Sequence, residues 1–309
     1  MIFSANIVLP LLLLMLVGVG IKETKLLDES AISQLNSLIF KVLLPVLLFC
    51  NVRSSPLNEM GELSYFAYVF LMAIGLFAAS TIFVIKIEKE NFNRGVMAQA
   101  IARTNYALFG IPLIVALYPD GDAALASVLM AIVIPTFNIT SVIVLSYFSD
   151  KSSDFKSLCK SIAKNPLILS TLLGIVASLI NLKLPYVIEQ ALTNMSVITS
   201  PLSLILLGAS FKFSSIAKYK KQIIISVFAR LIAAPAIVLF ITVLVGYRGI
   251  ELACMMVIFA VPTAVSSFTM AKTMGGNEDL AASIVVFTSI LCIFTLFLFI
   301  FVLKTLNLL

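Results

Sequence analysis

Histidine and tryptophan are absent from the 309-residue chain, and charged side chains make up only 12% of it, about half of the soluble norm near 25%. Without histidine there is no imidazole general base, imidazole proton relay or histidine metal ligand. Without tryptophan, an aromatic belt at a membrane interface has to come from tyrosine and phenylalanine. The four cysteines, Cys50, Cys159, Cys254 and Cys292, lie far apart with no CxxC pair, so they read as packing residues or loop thiols and no metal site is expected. No P-loop, GxSxG, HExxH or paired-carboxylate pattern occurs, so ATP-driven transport by this chain alone and intramembrane hydrolysis both lack support. No Asp or Glu stands at the centre of an apolar block, Glu251 and Asp279 being at block edges, and an obligatory carboxylate proton relay is not visible. The expectation is a protein that is neither an enzyme nor a cofactor carrier.

What the chain does have is apolar length: 61% of its residues are hydrophobic, in blocks long enough to cross a hydrocarbon core of about 30 Å, which needs roughly 20 helical residues. Ten blocks are predicted as spans, at 4–21, 32–52, 63–85, 95–118, 123–148, 165–182, 186–211, 222–246, 250–272 and 279–303. The lipid bilayer is therefore the solvent for most of the chain. The N-terminus has no basic n-region and no small-residue cleavage pattern, and it reads as the first span and not as a removed signal. The net charge of +6 would suggest nucleic acid in a soluble protein, but here Lys and Arg gather in short connections, so topology explains them and no nucleic acid is expected. With the N-terminus outside, 14 basic residues fall in cytoplasmic connections and four outside, with Lys41, Arg103 and Arg230 inside spans. A cell inner (plasma) membrane protein with both termini extracytoplasmic follows.

The longest polar connection, SDKSSDFKSLCKSIAK, joins the fifth and sixth spans and divides the chain into halves at 1–150 and 151–309. Gly18 and Pro45 are 27 residues apart, as are Gly174 and Pro201, at an offset of 156; Asn6 and Asn165 open the first span of each half, and Pro112 and Pro262 fall in the fourth span of each at an offset of 150. Because five is odd, a second copy of the first half enters the membrane upside down. An all-α, 5+5 inverted-topology repeat is the expected fold, with spans four and nine broken at Pro112 and Pro262.

Those two spans read GVMAQAIARTNYALFGIPLIVALY and LACMMVIFAVPTAVSSFTMAKTMGG. Proline removes an amide donor and clashes with the preceding turn, and freed backbone groups at membrane depth persist only beside protein or a wet cavity. Paired broken helices therefore point to a midplane binding site, against the alternative of two packed proline kinks. Thr104, Asn105, Gly110 and Pro112 lie in one span, and Pro262, Thr263, Ser266 and Ser267 in the other. Half-helix N-termini carry partial positive charge and suit an anion. Arg103 adds a full charge beside Asn105, or else sits at the cytoplasmic mouth. Lys41 and Arg230 either face a cavity or snorkel to the headgroups. Asn138, in the IPTFNIT stretch beside Pro135, and Asn194 are neutral hydrogen-bonding candidates, Asn138 having the better claim and an interhelical bond as its alternative.

With those residues in view, the chain resembles the auxin efflux carrier family, related to plant PIN-type carriers. The resemblance runs over essentially the whole chain, through GIKETKLLDESAISQLNSLIFKVLLPVLLF, TNYALFGIPL, NPLILSTLLGI, PLSLILLGAS and VPTAVSSFTMAK. It implies a scaffold of spans 1, 2, 6 and 7 and a transport domain of spans 3–5 and 8–10. It also implies a small organic anion such as a carboxylate, bound beside the crossing of spans four and nine with Asn105 as a contact, and elevator-type alternating access. The fold is shared with bile-acid/sodium symporters, so H+ or Na+ coupling stays open, a sodium-coupled symporter of an organic anion is the alternative, and a homodimer is an expectation of the resemblance alone. Leu48 stands where the plant carriers have a polar residue, and the connection between halves is short. Both departures favour a bacterial-type permease for a dicarboxylate or similar anion.

Overall fold

In hydrocarbon every backbone N–H and C=O has to find its partner within the protein, so apolar blocks of this length coil. The structure, a computed structural model, describes residues 2–54, 63–118, 124–149, 160 and 162–309; among them there are helices and no strand, the one β-type pairing being an isolated antiparallel bridge between Thr104 and Thr263. Cys159 and most of the connection between the halves lie outside the described residues.

The helices are α1 (Ile2–Glu23), α2 (Glu29–Arg53), α3 (Leu63–Ile87), α4 (Asn91–Ala102), α5 (Tyr106–Leu117), α6 (Ala124–Phe148), α7 (Pro166–Leu179), α8 (Tyr186–Ser210), α9 (Phe213–Lys218), α10 (Lys220–Val245), α11 (Gly249–Ala260), α12 (Ser266–Met274) and α13 (Glu278–Thr305). Among the described residues six of them, α2, α3, α6, α8, α10 and α13, are long and apolar enough to cross a membrane, while α5, α7 and α11 are shorter apolar helices. Their starts are written in the sequence. Asp28, Asn165 and Asn277 accept from the amides of Ala31, Leu167 and Leu280 at 2.6, 2.9 and 3.0 Å, which satisfies first-turn donors. Large apolar side chains such as Leu13, Leu173, Val187, Phe240 and Leu244 point outward. That surface would be a liability in water and is the expected one against lipid.

Among the described residues two helices carry a π-turn, Ile39–Leu43 in α2 and Ala229–Ala233 in α10, each ending two residues before a proline, Pro45 and Pro235. A proline ring collides with the carbonyl four residues back, and widening the turn relieves that collision without ending the helix. The π-turn of α10 carries Arg230, the largest fully buried side chain of the described residues.

Helices α1 and α8 pack at backbone distance because glycine leaves room for it. A Cβ built on Gly18 would lie 2.0 Å from the Ile205 carbonyl oxygen, and one on Gly208 would lie 1.9 Å from that of Met15. Helix α7 rests on α2 in a related way, Gly174 facing the Phe49 carbonyl oxygen at 3.1 Å and Val52. Positions 18 and 174 are 156 apart, and so are their neighbours 49 and 205. Helices α2 and α8 meet where Thr199 Oγ1 donates to the Leu43 carbonyl at 3.2 Å, again residues 156 apart.

Candidate functional site

The chain leaves helical geometry twice at facing places. Between α4 and α5, Arg103 and Thr104 are extended; between α11 and α12, Val261 and its neighbours are. The two interruptions cross, through the Thr104–Thr263 bridge and an Asn105 amide that donates to the Pro262 carbonyl at 2.9 Å. Pro262 therefore sits at its break. Pro112 does not: it lies inside α5, and the interruption falls at Arg103–Asn105, seven residues before the place expected from the proline. Polar residues that pair with the opposite segment set this break, so the facing residues are 159 apart and not 150. Gly110 is likewise interior to α5, packed beneath the Tyr106 ring.

Against the crossing lies a cavity of about 130 Å³. Its walls are Arg103, Thr104, Asn105 and Ser266 from the crossing, Phe137 and Asn138 from α6, and Leu44, Leu47, Leu48, Asn51, Thr199, Ser200 and Ser203 from α2 and α8. The first residues of α5 and α12 line it too, so the donor-rich, partly positive ends of both helices face the space.

Arg103 is 5% exposed, and its guanidinium donates to Asn138 Oδ1 and Ser266 Oγ, both at 2.7 Å, and to the Met270 sulfur. Asn138 is oriented for this by its own Nδ2 donating to the Ile134 carbonyl at 2.8 Å. Among the described residues no carboxylate lies within ion-pairing distance of Arg103. The buried Thr104 hydroxyl has no partner, and the Asn105 side chain, 8% exposed, makes no hydrogen bond to its helix. A cation, a hydroxyl and a carboxamide converge on a small cavity with spare hydrogen-bonding capacity. Such a set binds the oxygens of an anion.

Of the seven sequence-derived site residues, Arg103, Thr104, Asn105, Asn138 and Ser266 line the cavity. Thr263 and Ser267 do not. Thr263 is wholly buried and spends its hydroxyl on the Ala100 carbonyl at 2.8 Å, and the Ser267 hydroxyl is enclosed without a partner. Asn194 is exposed, beside Gln190. Lys41 is exposed on α2, where snorkelling stays open to it. The same reading fails for Arg230, which is 0% exposed at the crossing. Sequence reasoning missed Asn51, Thr199, Ser200 and Ser203. The available signal was the polar cluster TSPLS around Pro201, which stands 156 residues after Pro45. No cluster of His, Cys, Asp or Glu suited to a metal ion occurs among the described residues.

The family described as membrane transport protein matches residues 3–300 of the chain. The chain is 24% identical over 297 residues to an uncharacterized transporter of Methanocaldococcus jannaschii, covering 92% of this chain and 94% of that protein. It is 22% identical over 300 residues to a candidate malonate transporter of Rhizobium meliloti, covering 91% and 90%.

Proposed function

Because the chain belongs to the membrane transport protein family, that of the auxin efflux carriers, we propose that it is a secondary carrier of small organic anions, carboxylates above all. The observation that carries this reading is Arg103, a buried guanidinium with no acidic partner among the described residues, beside the unpartnered Thr104 hydroxyl in a small cavity. A buried charge held without a counter-charge is costly, and an anionic substrate supplies one. The cavity volume of about 130 Å³ is well below the roughly 300–1,000 Å³ of sites for drug-sized ligands. It suits an ion of malonate size better than an indole acid. The name of the Rhizobium relative points to the same class.

Ten spans in two inverted halves are the frame of this reading. The reciprocal packing of α1 on α8 and of α7 on α2, through residues that match at one offset of 156, supports it. So does the Thr199–Leu43 contact, since equivalent residues meet on a pseudo-twofold axis. The cavity lies between α2 and α8 on one side and the crossing on the other. Sliding the crossing, with α3–α6 and α10–α13, along a scaffold of α1, α2, α7 and α8 would carry that wall from one side of the membrane to the other. Uptake of labelled malonate, malate and indole acetate into proteoliposomes tests the function. Asn105→Ala is expected to reduce transport of the preferred acid at least about tenfold, the loss of one hydrogen bond to a charged group; an unchanged rate would remove Asn105 from the site.

A further inference from the structure

The crossing has a second side. Helices α4 and α11 end there, at Ala102 and Ala260, and the last carbonyls of a helix have no partner within it and carry partial negative charge. Arg230 Nη1 donates to the Ile101 and Ala102 carbonyls at 2.9 and 3.4 Å, Nε and Nη2 to Val261 at 3.1 and 2.9 Å, and Nη2 also to Phe259. Four carbonyls from two converging helix ends thus surround one guanidinium that is 0% exposed, with no carboxylate in ion-pairing range among the described residues. In carriers with broken helices, unwound carbonyls and half-helix C-termini are the groups that hold a coupling cation.

The geometry points to Arg230 as a tethered replacement for that cation: its guanidinium permanently fills a monovalent-cation site at the crossing, so the carrier works without binding Na+ there. This inference rests on reading the crossing as the transport site. Arg230 comes from α10, a different helix from those it joins, so the same contacts fasten α4 to α11 and make the crossing one body. A free ion would come and go with each cycle. A side chain cannot, and the cation half of the site stays charged and closed whichever side the cavity faces.

Thermal unfolding of the purified full-length chain tests this without any anion. The unfolding temperature of the wild type is expected to be the same in NaCl and in choline chloride. Arg230→Ala is expected to unfold at lower temperature and to be restored, saturably, by Na+ or by millimolar guanidinium, but not by choline, because only a small cation or the missing group itself fits among four carbonyls. A saturable Na+ response in the wild type would overturn the inference. So would an Arg230→Ala protein of unchanged stability, or one that no cation restores, since either makes the side chain mere packing. Should Arg230→Ala yield no folded protein, Arg230→Lys and Arg230→Met separate charge from bulk. The inference expects folded protein from Lys and not from Met; equal yields or the reverse order overturn it. Failure of anion uptake with this pattern intact would sink only the proposed substrate, whereas uptake that follows an imposed Na+ gradient would sink the resident cation.

Discussion

Replacing Arg103 by Gln sets substrate binding against folding with opposite expected signs. The guanidinium is buried, and its two short hydrogen bonds go to Asn138 and Ser266, both neutral. Gln can keep one of them and removes a charge that has no acidic partner among the described residues, so the substrate-free protein should unfold at an unchanged or higher temperature. Binding should suffer. A carboxylate about 4 Å from the guanidinium gains about 4 kcal/mol at an effective dielectric near 20, and hydrogen bonds to charged groups contribute about 1.5–3 kcal/mol. Taking the lower range, half-saturation for the preferred acid should rise about 10–150-fold. Asn138→Asp is the complementary perturbation. It places a carboxylate where Oδ1 now lies, 2.7 Å from Arg103 Nη2, which should abolish uptake, because the internal anion occupies the cation, while the lost Nδ2 hydrogen bond to the Ile134 carbonyl offsets part of the gain in stability. Proteoliposome uptake and melting curves of the same preparations read both quantities. Wild-type uptake by Arg103→Gln would refute the reasoning, and so would a parallel fall of stability and uptake, the mark of a structural role.

Two further outcomes test the fold. Gly208→Ala puts a Cβ 1.9 Å from the Met15 carbonyl oxygen and forces α1 and α8 apart, whereas Gly20→Ala, in the same α1, meets nothing within 4 Å; differential scanning fluorimetry should show the first lowered by several degrees, for an overpacking cost of about 1–3 kcal/mol, and the second unchanged or raised by about 1 kcal/mol of helix propensity. At the C-terminal end of α3, burial raises the Glu88 carboxyl, but the amides of Glu90 and Lys89, together with Gln222, outweigh it and hold its pKa below the ordinary 4.5. Its stabilising contribution is therefore complete above that value and is lost as pH falls through the lower folded one, so Glu88→Gln should flatten the acid limb of melting temperature against pH; an acid limb identical to that of the wild type would show that Glu88 is not its source.

Apolar blocks and helix starts were legible because both are local. Block length against bilayer thickness located the six helices long enough to cross a membrane, though not the short α9 between two blocks, and Asn165, placed at the start of its block, caps α7 as Asp28 and Asn277 cap α2 and α13. The break in the fourth block was not legible at its true place. Pro112 is the obvious breaker, yet it lies within α5, while Arg103–Asn105 leave the helix because their backbone pairs with Pro262 and Thr263, 159 residues away in the case of Thr104. A tertiary pairing outweighed a local preference, and no local signal carries it. For Asn51, Ser200 and Ser203 in the cavity wall the local signal was at most the polar TSPLS cluster around Pro201. On α2 and α8 taken singly they look like interhelical hydrogen-bonding residues, and only the packing of those helices against the crossing turns them inward.

Arg230 and Arg103 explain why a crossing so rich in cations has no acidic residue facing it among the described residues. Four helix ends meet there, and they sort by sign. The C-termini of α4 and α11 supply carbonyls with partial negative charge on one side, and Arg230 takes its counter-charge from them. The N-termini of α5 and α12 face the cavity on the other side, where their dipoles add to the charge of Arg103 and cannot offset it. One arginine is thus complete within the fold and the other is not. A carboxylate side chain near Arg103 would complete it and close the site to ligands. On the proposed reading, its absence among the described residues leaves the negative charge to come from the cavity, as an anion that binds and leaves again.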